Sequence, residues 1–263
     1  MLLTLLLVVL GFFAGLLGAL TGIGGGVLLT PILALHFNIP IREAIGTSLV
    51  AVITTSTASS SVHLQRHTTD IRLGMTLELA TALGAAVMAY LVGYFNRNLL
   101  EGLFAGFLLY SAITILTKGG KVSGENSPLP QNGEIPPYEP QRYPLGLSAS
   151  LLAGALSGLL GIGGGPIKVP VMFIFMNVPL MVATATSNFM IGVTATASAI
   201  VYYRRGDILA EIAAPLAVGV FVGSLLGARL APRIHSKVVA YLLVAVMFYL
   251  AGHLLIHLLR GLL

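Results

Sequence analysis

Two glycine clusters are the part of this sequence best suited to bind a ligand. Gly22-Ile23-Gly24-Gly25-Gly26 recurs as Gly161-Ile162-Gly163-Gly164-Gly165. Each cluster interrupts an apolar run, and hydrocarbon cannot satisfy the backbone N–H groups that such a break exposes, so both must face protein or a polar cavity. A short helix that begins after the break points its first N–H groups and its positive dipole end toward it. The clusters therefore predict an anion site, with close helix packing as the alternative.

One lysine strengthens this prediction. Lys168 lies deep in an apolar segment, three residues after the second cluster, where the first half of the chain has Leu29. An ammonium group inside a membrane costs about 2.5–3.5 kcal/mol on insertion scales, so we expect such a residue to have a function. Next to a helix N-terminus it would attract an anion. The alternative is a lysine whose ammonium reaches the membrane interface.

Hydroxyl and amide side chains follow each broken segment at matched positions. These are Thr47-Ser48 in the first half and Thr186-Ser187-Asn188 in the second. Such groups donate hydrogen bonds to an oxyanion without adding charge. The alternative is hydrogen bonding between helices, worth about 0.6 kcal/mol on average in membranes. The predicted substrate-binding set is Gly24, Gly25, Gly26, Thr47, Ser48, Gly163, Gly164, Gly165, Lys168, Thr186, Ser187 and Asn188.

Four charged residues near the predicted helix ends have simpler interpretations. Arg66 and Arg205 occupy equivalent connectors and are expected to be solvated topology anchors. Glu78 and Glu211 are expected in the first turns of the following helices, where a carboxylate suits the helix dipole. Proton coupling through these carboxylates is the less favoured alternative.

Two histidine pairs have the i, i+4 spacing of metal ligands. They are His63 with His67 and His253 with His257, each near a predicted membrane boundary and without a clear set of further ligands. We expect interfacial histidines. No metal, cofactor or catalytic residue is predicted.

The candidate residues belong to an internal duplication. Residues 15–66 align with residues 154–205 at a constant offset of 139, without a gap, and 20 of the 52 aligned positions are identical. The identities include prolines, asparagines and the Thr-Ser pairs, which chance similarity of two apolar helices would not preserve. A unit of this size indicates a duplicated membrane bundle, because solenoid repeats run about 20–50 residues.

The composition excludes a soluble globular protein. Hydrophobic residues make up 56% of the 263 residues and charged residues 9%, against roughly 25% charged in soluble domains. The net charge is +5, and the basic residues lie mainly between apolar runs, which is typical of topology determinants and not of a nucleic-acid surface. Because cysteine is absent, disulfides, thiolate metal sites and a cysteine nucleophile are excluded.

Apolar runs predict an all-α, polytopic membrane bundle with five helical segments per half. About 8–10 helical membrane segments result. In each half the glycine cluster separates two helices that form a hinged pair, called the broken pair below. Residues 118–144 hold 6 of the 13 prolines and no periodic apolar pattern, so a solvated linker is predicted there. The chain is thus divided into a first transmembrane repeat (1–117), the linker (118–144) and a second transmembrane repeat (145–263). The predicted runs are 2–21, 26–37, 43–63, 74–94, 99–117, 145–161, 165–178, 182–203, 208–229 and 237–259.

The number of crossings per half decides the relation between the repeats. If the broken pair counts as two crossings or as a re-entrant hairpin, each half crosses an odd number of times and the second copy is inverted. Inverted repeats are a common transporter architecture, with the binding site near the midplane. If each broken pair crosses once, the halves are parallel and eight spans result. With five crossings per half, eight Lys and Arg residues lie on the linker side and five on the other, which favours a cytoplasmic linker.

The segments that carry these motifs resemble the sulfite exporter TauE/SafE family. The resemblance rests on residues 14–31, on Gly161-Ile162-Gly163-Gly164-Gly165-Pro166-Ile167-Lys168-Val169-Pro170, and on Ala185-Thr186-Ser187-Asn188. It covers both halves and essentially the whole chain apart from the linker. It implies a membrane permease for sulfur-containing oxyanions or organosulfonates, usually with seven or eight spans. The broken pairs account for the difference from ten segments.

We therefore expect a multi-pass secondary transporter that exports sulfite or a small organosulfonate across the cytoplasmic membrane. Its expected partners are the small anion and the lipid bilayer, with no nucleic acid, and a homodimer is left open. An interior-negative potential favours anion exit by about 2.3 kcal/mol per charge per 100 mV, and we find no convincing intramembrane acid or sodium site, so export without a coupled ion is expected. The alternatives are an anion channel, an uptake permease, a sensor or assembly module without transport and, less favoured because HExxH and GxSxG are absent, a membrane enzyme.

Overall fold

Helices form nearly all of the described chain. The computed structural model describes residues 2–122, 138–231 and 236–262. In that part of the chain ten helices follow one another: α1 (Leu2–Thr21), α2 (Gly26–His36), α3 (Ile41–Gln65), α4 (Ile71–Leu91), α5 (Arg97–Val122), α6 (Tyr143–Leu160), α7 (Gly165–Pro170), α8 (Leu180–Arg204), α9 (Ala210–Leu230) and α10 (Ser236–Leu262).

Eight of these helices are long and apolar enough to cross a membrane, among the described residues. The two short ones are α2 and α7, and α7 continues as a π-helical turn over Val171–Phe175. Large apolar side chains such as Leu79, Leu83 and Tyr90 are exposed on the outer surface of the bundle, as lipid-facing side chains are expected to be. The predicted all-α membrane bundle of 8–10 helical segments is confirmed.

With the π-helical turn counted in α7, helix boundaries lie within three residues of the predicted runs except at the end of α5, and three of the differences affect the assignment of residues. α3 ends at Gln65, two residues after the predicted run, so His63 lies inside the helix. α4 begins at Ile71, three residues before the predicted run, because the Asp70 side chain caps it by accepting a hydrogen bond from the Leu73 backbone N–H. α5 extends to Val122, into the predicted linker, and residues 123–137 of that linker lie outside the described residues.

Positive φ angles explain why glycine occupies the breaks. Gly22 and Gly24 have φ values of 71° and 82°, and Gly161, Gly163 and Gly164 have values of 68°, 75° and 77°. Only glycine adopts this region without a steric penalty from Cβ. The chain can therefore leave α1 and α6 abruptly and begin α2 and α7 within a few residues.

A matched turn ends each broken pair. Asn38 and Asn177 have φ values of 52° and 57°, a left-handed conformation that asparagine tolerates better than most residues. Pro40 and Pro179 then precede the first turns of α3 and α8. The identical Asn-x-Pro sequences thus produce identical turns in the two halves.

Each half packs its first helix against the fourth helix of the other half. Along α1 and α9, Val8 lies at Gly219 and Leu16 at Gly227, so these two helices run parallel with their backbones in close approach. The equivalent pair, α6 and α4, also runs parallel, with Gly158 against Ala85. The glycines spaced by four residues in α1, α6 and α9 are therefore packing residues, as small residues at membrane helix interfaces are expected to be.

The third helices of the two halves, α3 and α8, cross antiparallel. Gly46 of α3 lies against Tyr202 near the end of α8, whereas His63 near the end of α3 reaches Asn188 near the start of α8. In between, Ser56 contacts Gly192. Equivalent helices of the duplication thus run in opposite directions where they meet.

Connections gather at the two ends of the bundle. At one end, Arg42 donates hydrogen bonds to the carbonyls of Gly93 and Phe95, which joins the α2–α3 and α4–α5 connections. At the opposite end the Tyr138 hydroxyl donates to the Asp70 carboxylate. Partial burial and this carboxylate raise the pKa of Tyr138, so the phenol stays protonated and keeps the segment before α6 attached to the α3–α4 connection.

Candidate functional site

The two glycine breaks meet each other inside the bundle. Gly26 lies against the carbonyl of Gly161, and its equivalent Gly165 lies against the carbonyl of Gly22. Val52 and its equivalent Ile191 flank the contact, and all ten residues of the two clusters are buried. The sequence showed only that the two breaks share a motif. The structure shows that they are neighbours in space.

Lys168 forms a buried ion pair beside the second break. Its Nζ lies 3.1 Å from Glu78 Oε2 and 2.8 Å from Thr194 Oγ1, and the Thr194 hydroxyl donates to Glu78 Oε1. The Lys168 and Glu78 side chains are 1% and 3% exposed. Because Glu78 is on α4 and the other two residues are on α7 and α8, the cluster joins the two halves.

This cluster corrects several expectations from the sequence. Lys168 is buried, so the alternative of a lysine reaching the interface is wrong. Glu78 is not in the first turn of its helix but is its eighth residue, because α4 begins three residues earlier than the apolar run indicated. The expectation that no intramembrane acid exists is therefore also wrong. Glu211 does lie in the first turn of α9 and is exposed.

The described positions that match this cluster in the other copy do not form an ion pair. An offset of 139 matches Lys168 with Leu29, Thr194 with Thr55, and Glu78 with Ala217. Leu29 is fully buried and part of the apolar core. The duplicated framework thus carries a charged cluster in only one of its two copies.

The matched threonines and serines bond to the backbone of the opposite half. Thr47 Oγ1 accepts from the Leu209 N–H at 3.1 Å, and Thr186 Oγ1 accepts from the Asp70 N–H at 3.0 Å. Ser187 donates to the Gly22 carbonyl at 3.2 Å. Ser48 lies 3.4 Å from the Gly161 carbonyl and donates to Ile45 in its own helix at 2.8 Å. These side chains hold the breaks and the helix connections in place.

Asn188 is a buried polar side chain whose amide group is only partly hydrogen-bonded. It is 1% exposed, and its Nδ2 lies 3.4 Å from the Ala19 carbonyl and 3.5 Å from His63 Nε2. Its Oδ1 has no hydrogen-bond partner among the described residues. His63 is buried, contacts Thr68 and lies two residues before the end of α3. Its pair-mate His67 is exposed.

A family comparison agrees with this architecture. The model of the family described as sulfite exporter TauE/SafE matches residues 7–254. The chain belongs to this family. The resemblance expected from the glycine motifs is therefore confirmed, and the chain is a multi-pass member of a membrane transporter family.

Relatives of this TauE/SafE member are also named as membrane transporters. It is 29% identical over 216 residues to the probable membrane transporter protein YunE of Bacillus subtilis (strain 168), which covers 77% of this chain and 79% of YunE. It is 30% identical over 203 residues to the probable membrane transporter protein MJ0441 of Methanocaldococcus jannaschii, covering 75% and 71%. The B. subtilis protein YdhB, also named a probable membrane transporter, is 29% identical over 206 residues, covering 78% and 80%. No solved structure matches the chain.

An ionic cavity opens at the end of this TauE/SafE bundle where α2 meets α3. It has a volume of about 580 Å³. Beside it, Glu101 is buried and bonds to Arg97 at 2.6 Å and to His257 at 3.2 Å. Sequence reasoning missed Glu101, although its i, i+4 spacing from Arg97 was a usable signal. The cavity is lined by Asn38, Ile39, Pro40, Ile41, Arg42, Glu43, Arg97, Asp207 and His257.

The connector arginines differ from each other in their contacts. Arg66 donates from Nη1 to the Ala228 carbonyl at 3.1 Å and from Nη2 to the Arg229 carbonyl at 3.3 Å, so it caps the C-terminal end of α9. Arg205 pairs with Asp207 at 3.0 Å. Arg66 therefore links the two halves, a contact that a merely solvated anchor would not make.

Proposed function

We propose that this protein is a secondary transporter of small sulfur-containing oxyanions, such as sulfite or a small organosulfonate, in the cytoplasmic membrane. The substrate binds at the paired glycine breaks, and the direction is export when the anion is more concentrated inside. The observation that carries the proposal is the buried contact between the two breaks, with an intramembrane lysine beside it. The family description, sulfite exporter, supports the choice of substrate class.

The chemistry of the breaks suits an oxyanion. The chain leaves helical conformation at Gly22–Gly25 and Gly161–Gly164, so backbone N–H groups at the starts of α2 and α7 point toward the breaks and not into a preceding turn. Lys168 supplies a positive charge, and the Asn188 amide supplies donors nearby. We assign substrate contact to the glycine clusters, Lys168 and Asn188. The Thr47-Ser48 and Thr186-Ser187 pairs complete the site by holding the breaks in position.

We further propose that the two repeats are inverted in the membrane. The antiparallel crossing of α3 and α8 supports this, because these helices are equivalent and long enough to span. In that arrangement α2 and α7 are short return segments that enter from opposite sides and reach the breaks. Rocking of one repeat against the other would expose the breaks to each side in turn.

Efflux from proteoliposomes tests the proposal. Purified protein is reconstituted, the vesicles are loaded with sulfite, and release is measured against protein-free vesicles. We expect protein-dependent efflux that saturates with sulfite concentration and is inhibited by methanesulfonate. Flux that rises linearly without saturation would indicate a channel, and no protein-dependent flux of sulfite, sulfoacetate or thiosulfate would contradict the proposed substrate class.

A further inference from the structure

We propose that Glu78 takes up one proton for each anion that binds at Lys168, so that the protein moves the anion and a proton together. This inference rests on the proposed anion transport and adds the coupling ion. It reverses the expectation of export without a coupled ion, which depended on the absence of an intramembrane acid.

Among the described residues that bond to Glu78, Lys168 is the only charged one. α7 contributes the Lys168 ammonium and α8 contributes the Thr194 hydroxyl. The third packed helix, α6, has Tyr143 at its first position as its only titratable residue. The one charged residue of α8 is Arg204 at its C-terminal end, and His63 of α3 contacts Thr68 and Asn188.

Charge balance then links anion binding to protonation. In the empty site the ammonium and the carboxylate neutralise each other. A monovalent oxyanion that takes the place of the carboxylate at Lys168 leaves Glu78 as an unpaired negative charge in a buried position, next to a second negative charge. Such an arrangement is strongly unfavourable at side chains that are only 1% and 3% exposed. A proton from solution that bonds to a Glu78 carboxylate oxygen restores neutrality, while Lys168 stays an ammonium.

Thr194 can support both states. Its hydroxyl now accepts from Lys168 and donates to Glu78. After protonation of Glu78 the same oxygen can accept the new O–H, because a hydroxyl is both donor and acceptor. The site therefore has two neutral states, one empty with the ion pair and one with the anion and a proton. A site that holds only the anion, or only the additional proton, carries a net charge.

The Lys168–Glu78 ion pair lies between the two halves, so its replacement by an anion and a proton can affect how the halves move. Glu78 belongs to the first half, and Lys168 and Thr194 belong to the second. Replacing the ion pair by a bound anion and a neutral carboxylic acid removes a charged contact between the halves. Movement of either neutral state carries anion and proton together or carries neither, which is the requirement for symport.

Uphill accumulation driven by a pH difference tests the inference. The full chain is reconstituted, and methanesulfonate is placed at equal concentration on both sides, since its charge does not change over neutral pH. The lumen is set one pH unit more alkaline, and potassium with valinomycin clamps the potential at zero. One pH unit corresponds to a tenfold ratio for a one-to-one symport, so we expect about tenfold accumulation in the lumen. Unchanged concentrations would overturn the inference.

Three variants locate the proton. Glu78→Gln keeps a neutral anion-loaded site, so it should still exchange the anion but reduce the accumulation ratio to about one. Glu78→Asp, which keeps an ionisable group, should restore accumulation in part. Glu211→Gln is the matched control, because Glu211 lies exposed in the equivalent helix α9, and it should accumulate like the wild type. Full accumulation by Glu78→Gln would overturn the assignment.

Exchange of labelled methanesulfonate at equal pH separates the two proposals. Exchange without pH-driven accumulation in the wild type rejects coupling and leaves the proposed function standing. Absence of any protein-dependent exchange rejects both. If Glu78→Gln does not fold, the wild-type ratio alone decides, since tenfold supports symport and a ratio of one rejects it.

Discussion

Thr47 and Thr186 make the same hydrogen bond in opposite halves of the protein. Thr47 Oγ1 accepts from the N–H of Leu209, the residue before α9, and Thr186 Oγ1 accepts from the N–H of Asp70, the residue before α4. These positions are exchanged by the offset of 139 that relates the halves. The threonines thus fix each third helix to the start of the fourth helix of the other repeat.

Replacing either threonine by valine should destabilise the protein by a similar amount. Thr47→Val and Thr186→Val each leave a partly buried N–H without its acceptor, which costs about 1–3 kcal/mol. The free energy of unfolding in detergent checks this. Thr57→Val is the control, because Thr57 is exposed and bonds within its own helix, and its effect should stay within about 0.5 kcal/mol. A large effect at only one of the two matched positions would contradict the symmetric role.

Alanine at the contact between the breaks should disturb both stability and transport. A methyl group at Gly26 would collide with the Gly161 carbonyl, and one at Gly165 would collide with the Gly22 carbonyl. We expect lower melting temperatures and a loss of sulfite efflux for Gly26→Ala and Gly165→Ala. Gly106→Ala is the control, since no atom lies within 4 Å of the added carbon, and alanine there should be neutral or stabilising by up to about 1 kcal/mol. Normal efflux by both break variants would show that the close contact is dispensable.

Removing one member of the buried ion pair should destabilise the protein more than removing both charges together. Lys168→Met leaves the Glu78 carboxylate buried without its cation, which costs about 3–5 kcal/mol. The double variant Lys168→Met with Glu78→Gln should recover most of that stability, because no unpaired charge remains. Unfolding free energies of the two single variants and the double variant form the required cycle. Additive losses would show that the two side chains do not depend on each other.

The same double variant separates stability from function. It lacks the proposed anion-binding charge, so we expect a folded protein with no protein-dependent sulfite efflux. Protection by ligand gives a second measurement: sulfite should raise the melting temperature of the wild type and leave that of the double variant unchanged. Equal protection of both proteins would remove Lys168 from the binding site.

Cysteine labelling can establish the relation of the repeats. The natural chain has no cysteine, so a single introduced cysteine needs no background substitutions. Gln65 and Arg204 are exposed, equivalent residues at the ends of α3 and α8. For Gln65→Cys and Arg204→Cys, inverted repeats predict that a membrane-impermeant maleimide labels the two variants from opposite sides. Labelling of both from the same side would favour parallel repeats.

Local sequence signals were sufficient for the helices and for the duplication. Apolar runs mark the spans, and the Gly, Asn and Pro residues at the breaks mark conformations that few other residues adopt. The one consequential error, at Glu78, came from an N-terminal boundary. Asp70 caps α4 and so moves Glu78 from a helix end into the bundle, which periodicity cannot reveal.

The contacts between the halves were not predictable in the same way. Lys168 was recognised as unusual from its apolar surroundings, but its partner lies 90 positions earlier in the sequence. Similarly, the Thr-Ser pairs were recognised as duplicated, but their backbone partners are set by the antiparallel crossing of α3 and α8. Tertiary pairing of this kind depends on packing across the bundle and leaves no short-range pattern.

Sulfite release from loaded proteoliposomes tests the central claim most directly. The wild type should release sulfite at a rate that saturates with internal concentration, and the folded double variant at Lys168 and Glu78 should release it no faster than protein-free vesicles. Equal saturable efflux from both proteins would contradict the assigned site. A wild-type rate equal to that of empty vesicles would contradict sulfite transport itself.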